Sequence, residues 1–305
     1  MRLPFLMSIF VLQAAAGATD TSAPARLTEV ADGLFVRQGR TAVVFEADTV
    51  ANTGVVIGDR CVAVIDTGGS RSEGESLATA IRSMTDVPVC FVINTHVHPD
   101  HVLGNEAFSG NQVRFIGHEK LPRAMALRGD TYSRRAAEYT ATTESGLHLV
   151  VPEQTVRDEV QLDLGHRVLV VRAHPAAHTD NDLTVLDERT GTLFAGDLVF
   201  LQHLPVLDGS LQGWLAELGR MAGQDLTRGV PGHGPVEAKW PEAAAPVTAY
   251  LEDLRDAVRS FIAEGGDLGS AQEAIAVSHP GQWQLIEQYH KRNVAAAFAE
   301  LEWED

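Results

Sequence analysis

The chain has 305 residues, 45% hydrophobic and 21% charged, a balance that supplies a sizeable buried core and excludes a disordered chain. Its formal net charge of −17 opposes phosphate backbones, which are bound through clustered lysine and arginine, and disfavours anionic membrane surfaces for the same reason. A nucleic-acid partner is therefore not expected.

In chain order, residues 1–18 (MRLPFLMSIFVLQAAAGA) join Arg2, an apolar stretch and a small-residue Ala16-Gly17-Ala18 end, the pattern of a secretory signal peptide. The apolar run is short of the ~20 residues that a spanning helix needs, so the expectation is a periplasmic or secreted protein without membrane attachment after cleavage. Residues 19–29 read as a linker, 30–240 as the main domain, and 241–305 as a helical C-terminal extension packed on that same domain. Strands are expected at 34–38, 54–57 and 61–65, then a helix over 72–84 capped by Ser72. "PVCFVINTH" reads as a strand buried on both faces. Further strands fall at "QVRFIG", within 155–174 and within 182–200, with a polar helical stretch at 119–145 and an amphipathic helix at 210–223. Cys61 and Cys90 each open an apolar run and could face one another, but two buried thiols is the preferred reading.

The stretch "NTHVHPDHVLGNEAF" (94–108) places His96, His98, Asp100 and His101 in six positions directly after a strand. His96 and His98, two apart in an extended loop, project to one side and can share an ion; Asp100 and His101 can reach a second ion about 3.5–4 Å away. Pro99 suits the first position of a helix, which puts Asp100 and His101 in its first turn. Three later loops offer the remaining donors: His178 in "HPAAHTDND", Asp197 in "FAGDLVF" and His233 in "VPGHGPV". Asp66 in "VIDTGG" ends a strand facing the same place and reads as an orienter of a ligand histidine. His174 and His203 are ambiguous, and the other histidines read as solvated or hydrogen-bonded.

H-x-H-x-D-H, then histidine, Gly-Asp and Gly-His-Gly in that order, resembles the metallo-β-lactamase superfamily over roughly residues 30–236. The resemblance implies an αβ/βα sandwich, two mixed sheets flanked by helices, with two zinc ions at one edge. It implies that His96, His98 and His178 hold the first zinc and Asp100, His101 and His233 the second, with Asp197 bridging. Two such ions lower the pKa of a shared water, so a bridging hydroxide would attack an ester, thioester, lactone or amide-type bond, with Asp100 moving the proton.

Within the superfamily, "NTHVHPDHVLGN", "AHTDNDLTV", "AGDLVF" and "LDGSLQGWL" are most similar to the zinc metallohydrolases associated with quinoprotein systems. That resemblance implies a functional association with a PQQ-dependent dehydrogenase. A dedicated β-lactamase is a second alternative, disfavoured because Leu198, Val199 and Phe200 follow Asp197 where a lysine often anchors the drug. The first alternative is a persulfide dioxygenase with one Fe2+ on His96, His178 and Asp197.

Overall fold

Runs of β-branched residues build two sheets that pack face to face in the computed structural model, which describes residues 24–40, 50–110, 112–139 and 148–304. The expected signal peptide and residues 19–23 of the linker lie outside the described residues. The first sheet has seven strands in chain order: β1 (Thr28–Ala31), β2 (Leu34–Arg37), β3 (Thr53–Ile57), β4 (Val62–Ile65), β5 (Val89–Ile93), β6 (Arg114–His118) and β7 (Gln154–Val156). The second has six: β8 (Glu159–Asp163), β9 (Val168–Ala173), β10 (Leu183–Asp187), β11 (Thr192–Phe200), β12 (Arg228–His233) and β13 (Ala238–Lys239). Both are mixed: β4 to β7 run parallel, as do β11 and β12, and the other pairs are antiparallel.

Between the sheets, Leu34, Val56, Ile65 and Ile93 of one face meet Leu169, Val171, Val185 and Phe194 of the other, all buried. This inner core drives the pairing of the sheets through removal of apolar surface from water. Helix α1 (Arg71–Met84) lays Leu77, Ala78 and Ile81 on the outer face of the first sheet, against Val62, Val64 and Val92. Helices α4 (Leu211–Ala222), α5 (Ala245–Ala263), α6 (Leu268–Ala274) and α7 (Ile286–Leu301) cover the second with one cluster around Trp214, Tyr250, Leu251 and Phe298. The order is helix, sheet, sheet, helix, the expected αβ/βα sandwich with a helical C-terminal region. The short α2 (Pro99–Val102) and α3 (Leu121–Tyr139) complete the elements used below. No helix among the described residues is long and apolar enough to cross a membrane.

Three expectations change. Ser70, not Ser72, caps α1: it is extended (φ −152°) and its Oγ accepts the Glu73 amide at 3.2 Å, leaving Ser72 inside the first turn. Strand β1 lies at the end of the expected linker because a four-residue edge strand has no apolar run to announce it. Cys61 and Cys90 are a disulfide, with Cα atoms 5.5 Å apart, rather than two thiols. Parallel β4 and β5 begin side by side, and their register slips so that Val62 faces Val89 and Ala63 faces Phe91, bulging Cys90 towards Cys61. Spacing in the sequence cannot show such a slip.

A cross-link spanning 29 residues should stabilise the fold by about 3 kcal/mol through restriction of the unfolded chain. Denaturant unfolding of a Cys61→Ser/Cys90→Ser protein should show that loss, and thiol titration of the denatured, unreduced parent should find no free thiol.

Candidate metal centre

The parallel and antiparallel order of the strands brings the ends of β4, β5, β9, β11 and β12 to one edge of the sandwich, and all the expected ligands sit there. Two groups form: His96, His98, His178 and Asp197 in one, and Asp100, His101 and His233 in the other. Within each group the donor atoms lie within 4.8 Å of one another. Asp197 faces both, with Oδ2 3.4 Å from His178 Nε2 and 3.6 Å from His96 Nε2, and Oδ1 3.2 Å from His101 Nε2. Asp100 completes the second group, its Oδ2 3.4 Å from His233 Nε2.

The hydrogen-bond network fixes which nitrogen of each ring carries the proton. His178 Nδ1 donates to the Val206 carbonyl at 2.7 Å and His233 Nδ1 to the Val50 carbonyl at 3.0 Å. His101 Nδ1 donates to Asp66 at 2.8 Å, and His98 Nε2 to Asp208 at 2.9 Å. Thr95 gives its hydroxyl proton to Asp66 at 2.7 Å, so its oxygen accepts from His96 Nδ1 at 3.0 Å. In the neutral rings the remaining nitrogens are therefore bare lone pairs, and all five point inward.

Two of those lone pairs, His178 Nε2 and His98 Nδ1, face each other at 3.1 Å, and His101 Nε2 faces His233 Nε2 at 3.4 Å. Two bare nitrogens repel at that range unless a cation lies between them: a metal ion or, in the His101–His233 pair, where Asp197 outweighs burial and raises both rings, a proton. Two imidazole nitrogens on one tetrahedral Zn2+, each about 2.0–2.1 Å from it, would be roughly 3.3 Å apart. His96 Nε2 and Asp197 Oδ1 are buried without any hydrogen-bond partner, as ligands awaiting an ion would be. The donor set fits divalent metal at both positions.

Electrostatics point the same way. Burial and the neighbouring His101 hold His96 well below the usual imidazole range, and burial pushes His178 down to about 3. Burial opposes charge on His101 too, yet Asp197, Asp66 and Asp100 outweigh it and hold that ring well above its ordinary value. The carboxylates thus call for positive charge at the centre of the second group, which a divalent ion supplies.

Asp66, at the end of β4, is buried and accepts three bonds: Thr95 N at 2.8 Å, the Thr95 hydroxyl and His101. It thereby orients His101 of one group directly and His96 of the other through Thr95, wider than the single role expected. A second orienter was missed: the segment 205–208, between β11 and α4. It supplies both the Val206 carbonyl to His178 and Asp208 to His98, and Arg292 of α7 pairs with Asp208 from the far side. Asn293 of α7 pins this segment, accepting Leu207 N at 3.0 Å and donating to the Pro205 carbonyl at 2.6 Å. Its signal was present in "LDGSLQGWL", where an Asp two residues before a Ser cap reads as part of the turn. At β12, Gly232 is required: a Cβ there would lie 1.9 Å from Asp197 Oδ1.

A cavity of about 560 Å³ opens over the centre, lined by His98, Asp100, Asp197 and His233 and walled by Phe200, Leu204 and Val206. Of the two ambiguous histidines, His203 lines it and stacks on His233 with centroids 5.4 Å apart. His174 does not; it is buried between Glu217 and Thr184 at 2.8 and 2.9 Å.

The family model of the metallo-beta-lactamase superfamily matches residues 47–233, most of the sandwich and every residue of the two groups. The chain belongs to that superfamily. Solved structures agree in fold: TMB-1 superposes with a TM-score of 0.60 at 19% identity, over 75% of this chain and 97% of that one. A metallo-beta-lactamase from Pontibacter korlensis gives 0.61 at 20%, over 74% and 98%. The sec-alkylsulfatase Pisa1 from Pseudomonas sp. gives 0.69 at 15%, over 92% of this chain and 51% of that one. No curated protein matches the chain.

Because Asp66 serves both groups and Asp208 one, their substitution should be distinguishable within this superfamily site. Asp66→Asn should weaken binding of both metal equivalents by about 10–100-fold, the usual effect of losing a ligand's orienting partner, and Asp208→Asn that of one. Competition against a chromophoric chelator, titrated to two equivalents, reads the difference.

Proposed function

We propose that the protein is a metal-dependent hydrolase of a small molecule that holds two zinc ions, one on His96, His98 and His178, one on Asp100, His101 and His233, with Asp197 between them. The observation that carries the reading is the approach of His98 Nδ1 and His178 Nε2 to 3.1 Å beside His96 Nε2 and Asp197 Oδ1, both buried without a hydrogen-bond partner. An imidazole and carboxylate donor set without sulfur suits zinc. Paired ions of this kind, when bound, lower the pKa of water and polarise the bond under attack. Ester, thioester, lactone and amide-type bonds are the matching substrates.

The chain's own part is positioning and proton transfer. Asp100 lines the cavity from the first turn of α2, where Pro99 starts the helix, and its side chain keeps 16% of its exposure. It is the group placed to take the proton of the attacking water and return it to the leaving group. Phe200 and Leu204 line the cavity, and Phe200 stacks on His233 at 5.0 Å, so water is thinned around the reacting bond.

Export to an oxidising compartment is part of the reading, supported by the signal-like residues 1–18 and by the Cys61–Cys90 disulfide. A functional link to a PQQ-dependent dehydrogenase rests on the resemblance of the four phrases quoted above.

Elemental analysis of natively exported protein should find close to two zinc per chain, and chelation should abolish hydrolysis of a panel of esters, thioesters and lactones until zinc is restored. One iron with no zinc, and oxygen uptake on a persulfide, would overturn the reading. Asp100→Asn, compared at matched zinc content, should turn over at least ~10²-fold more slowly; parental turnover with both ions in place would remove Asp100 from the mechanism.

A further inference from the structure

The wall of the cavity contributed by α3 and α7 holds two guanidiniums. Arg292 is committed, since it pairs with Asp208 behind His98. Arg128 is not. It is half-buried on α3 and hydrogen-bonds Tyr132, whose phenol burial pushes up to about 12, so that this neighbour stays uncharged. Its Nη1 is buried yet has no hydrogen-bond partner among the described residues. A buried guanidinium N–H normally finds an acceptor, and Arg128 is one of the residues that line the cavity.

A second buried donor lines the same cavity. His203 Nε2 also has no partner. In the tautomer that places the proton on Nε2, the ring presents an N–H there. The same wall carries apolar side chains, Leu127, 75% exposed at the mouth, with Leu204, Val206 and Leu285, beside the polar Thr131 and Gln288. The cavity therefore offers apolar contact and unspent hydrogen-bond donors in a protein whose surface charge repels anions. A donor retained without an acceptor there is explained by what enters.

Resting on the hydrolase reading above, we propose that the substrate carries an oxyanion, a carboxylate in the simplest case, on an apolar body, and that Arg128 Nη1 grips it, with His203 as a second donor. Three carboxylates also line the cavity, Asp100, Asp197 and Asp208. Asp208 is neutralised by Arg292 and His98, and the other two lie against the metal positions, so the field at Arg128 is left favourable to an anion. In the superfamily position that follows Asp197, this chain has Leu198 and Val199 fully buried and offers no cation. The charge comes instead from α3, an element outside both sheets.

The test is binding of 4-phenylbutyrate and its amide to the zinc-loaded protein by calorimetry, in the parent, Arg128→Gln, Arg128→Lys and the exposed control Arg123→Gln. The parent and the control should bind the acid about tenfold more tightly than the amide, because a charge-assisted hydrogen bond replaces a neutral one. Arg128→Gln should lose that preference and leave amide binding unchanged; Arg128→Lys should keep part of it, an ammonium lacking the fork of a guanidinium. An acid preference undiminished in Arg128→Gln would place the carboxylate on the metals and overturn the proposal, as would equal binding of acid and amide by the parent. Should Arg128→Gln fail to fold, an undiminished preference in Arg128→Lys together with a parental preference abolished by zinc removal has the same overturning force. The readout needs no turnover, so it separates from the hydrolase reading: zinc-dependent hydrolysis without acid preference leaves that reading standing and defeats this one.

Discussion

Asp66 is the residue on which the site's geometry depends. It is 2% exposed, and its two oxygens accept the Thr95 amide, the Thr95 hydroxyl and His101 Nδ1. A buried carboxylate is costly unless its lone pairs are satisfied, and here each bond that satisfies one also aligns a ligand. Its backbone has φ +57°, a left-handed conformation that a residue with a Cβ adopts at a cost of roughly 1–3 kcal/mol. That cost is held in place from both sides: the Asp66 amide bonds the Ile93 carbonyl of β5, and the next residue's amide bonds the His101 carbonyl. Strain, burial and ligand orientation meet in one side chain because β4 and β5 are parallel neighbours whose ends define the rim of the site.

The opposite rim is built differently. His98 and His178 are aligned by the segment 205–208, which has little regular structure of its own and is fastened by others. Asp208 N and Ser210 N bond the carbonyls of His178 and Ala177, so the segment lies flat against the second ligand loop. From outside, Glu300 of α7 accepts the Ser210 hydroxyl and the amides of Leu211 and Gln212, fixing the start of α4, while Asn293 holds the middle. The C-terminal helices are thereby part of the metal centre's support. Their apolar faces bury against the second sheet, and their polar groups reach past it to the segment that aims two imidazoles.

What was legible in the residues follows from this construction. The ligands themselves carry a dense signal: donors at fixed short spacing after apolar strands, in a fixed order, are hard to obtain by chance. Fold class was legible for the same reason, since strands and helices have their own periods. The orienters were half legible. Asp66 ends a strand in a glycine turn and reads as part of the site, whereas Asp208 sits beside a helix cap and reads as a turn residue. Arg128, Arg292 and Asn293 were not legible at all, because on an amphipathic helix a polar residue facing a cavity has the same spacing as one facing solvent. The disulfide belongs to that last group: it depends on a one-residue slip between β4 and β5 that local composition does not encode.

That division has a physical cause. Ligands must surround an ion at fixed distances, so they are confined to the few strand ends that converge on it, and the sheets cannot change without losing them. Side chains that meet the rest of a substrate need only line a volume, and many elements can supply them. The solved structures show the consequence: at 15–20% identity the sandwich persists with TM-scores of 0.60–0.69, in proteins whose names range from metallo-beta-lactamase to alkylsulfatase. In this chain α3 and α7 supply much of the cavity wall, and both lie outside the sheets. A guanidinium can be placed there with one buried N–H left without an acceptor and no ligand disturbed, because its cost falls on the cavity wall and not on the rim that Asp66 and the 205–208 segment hold in register.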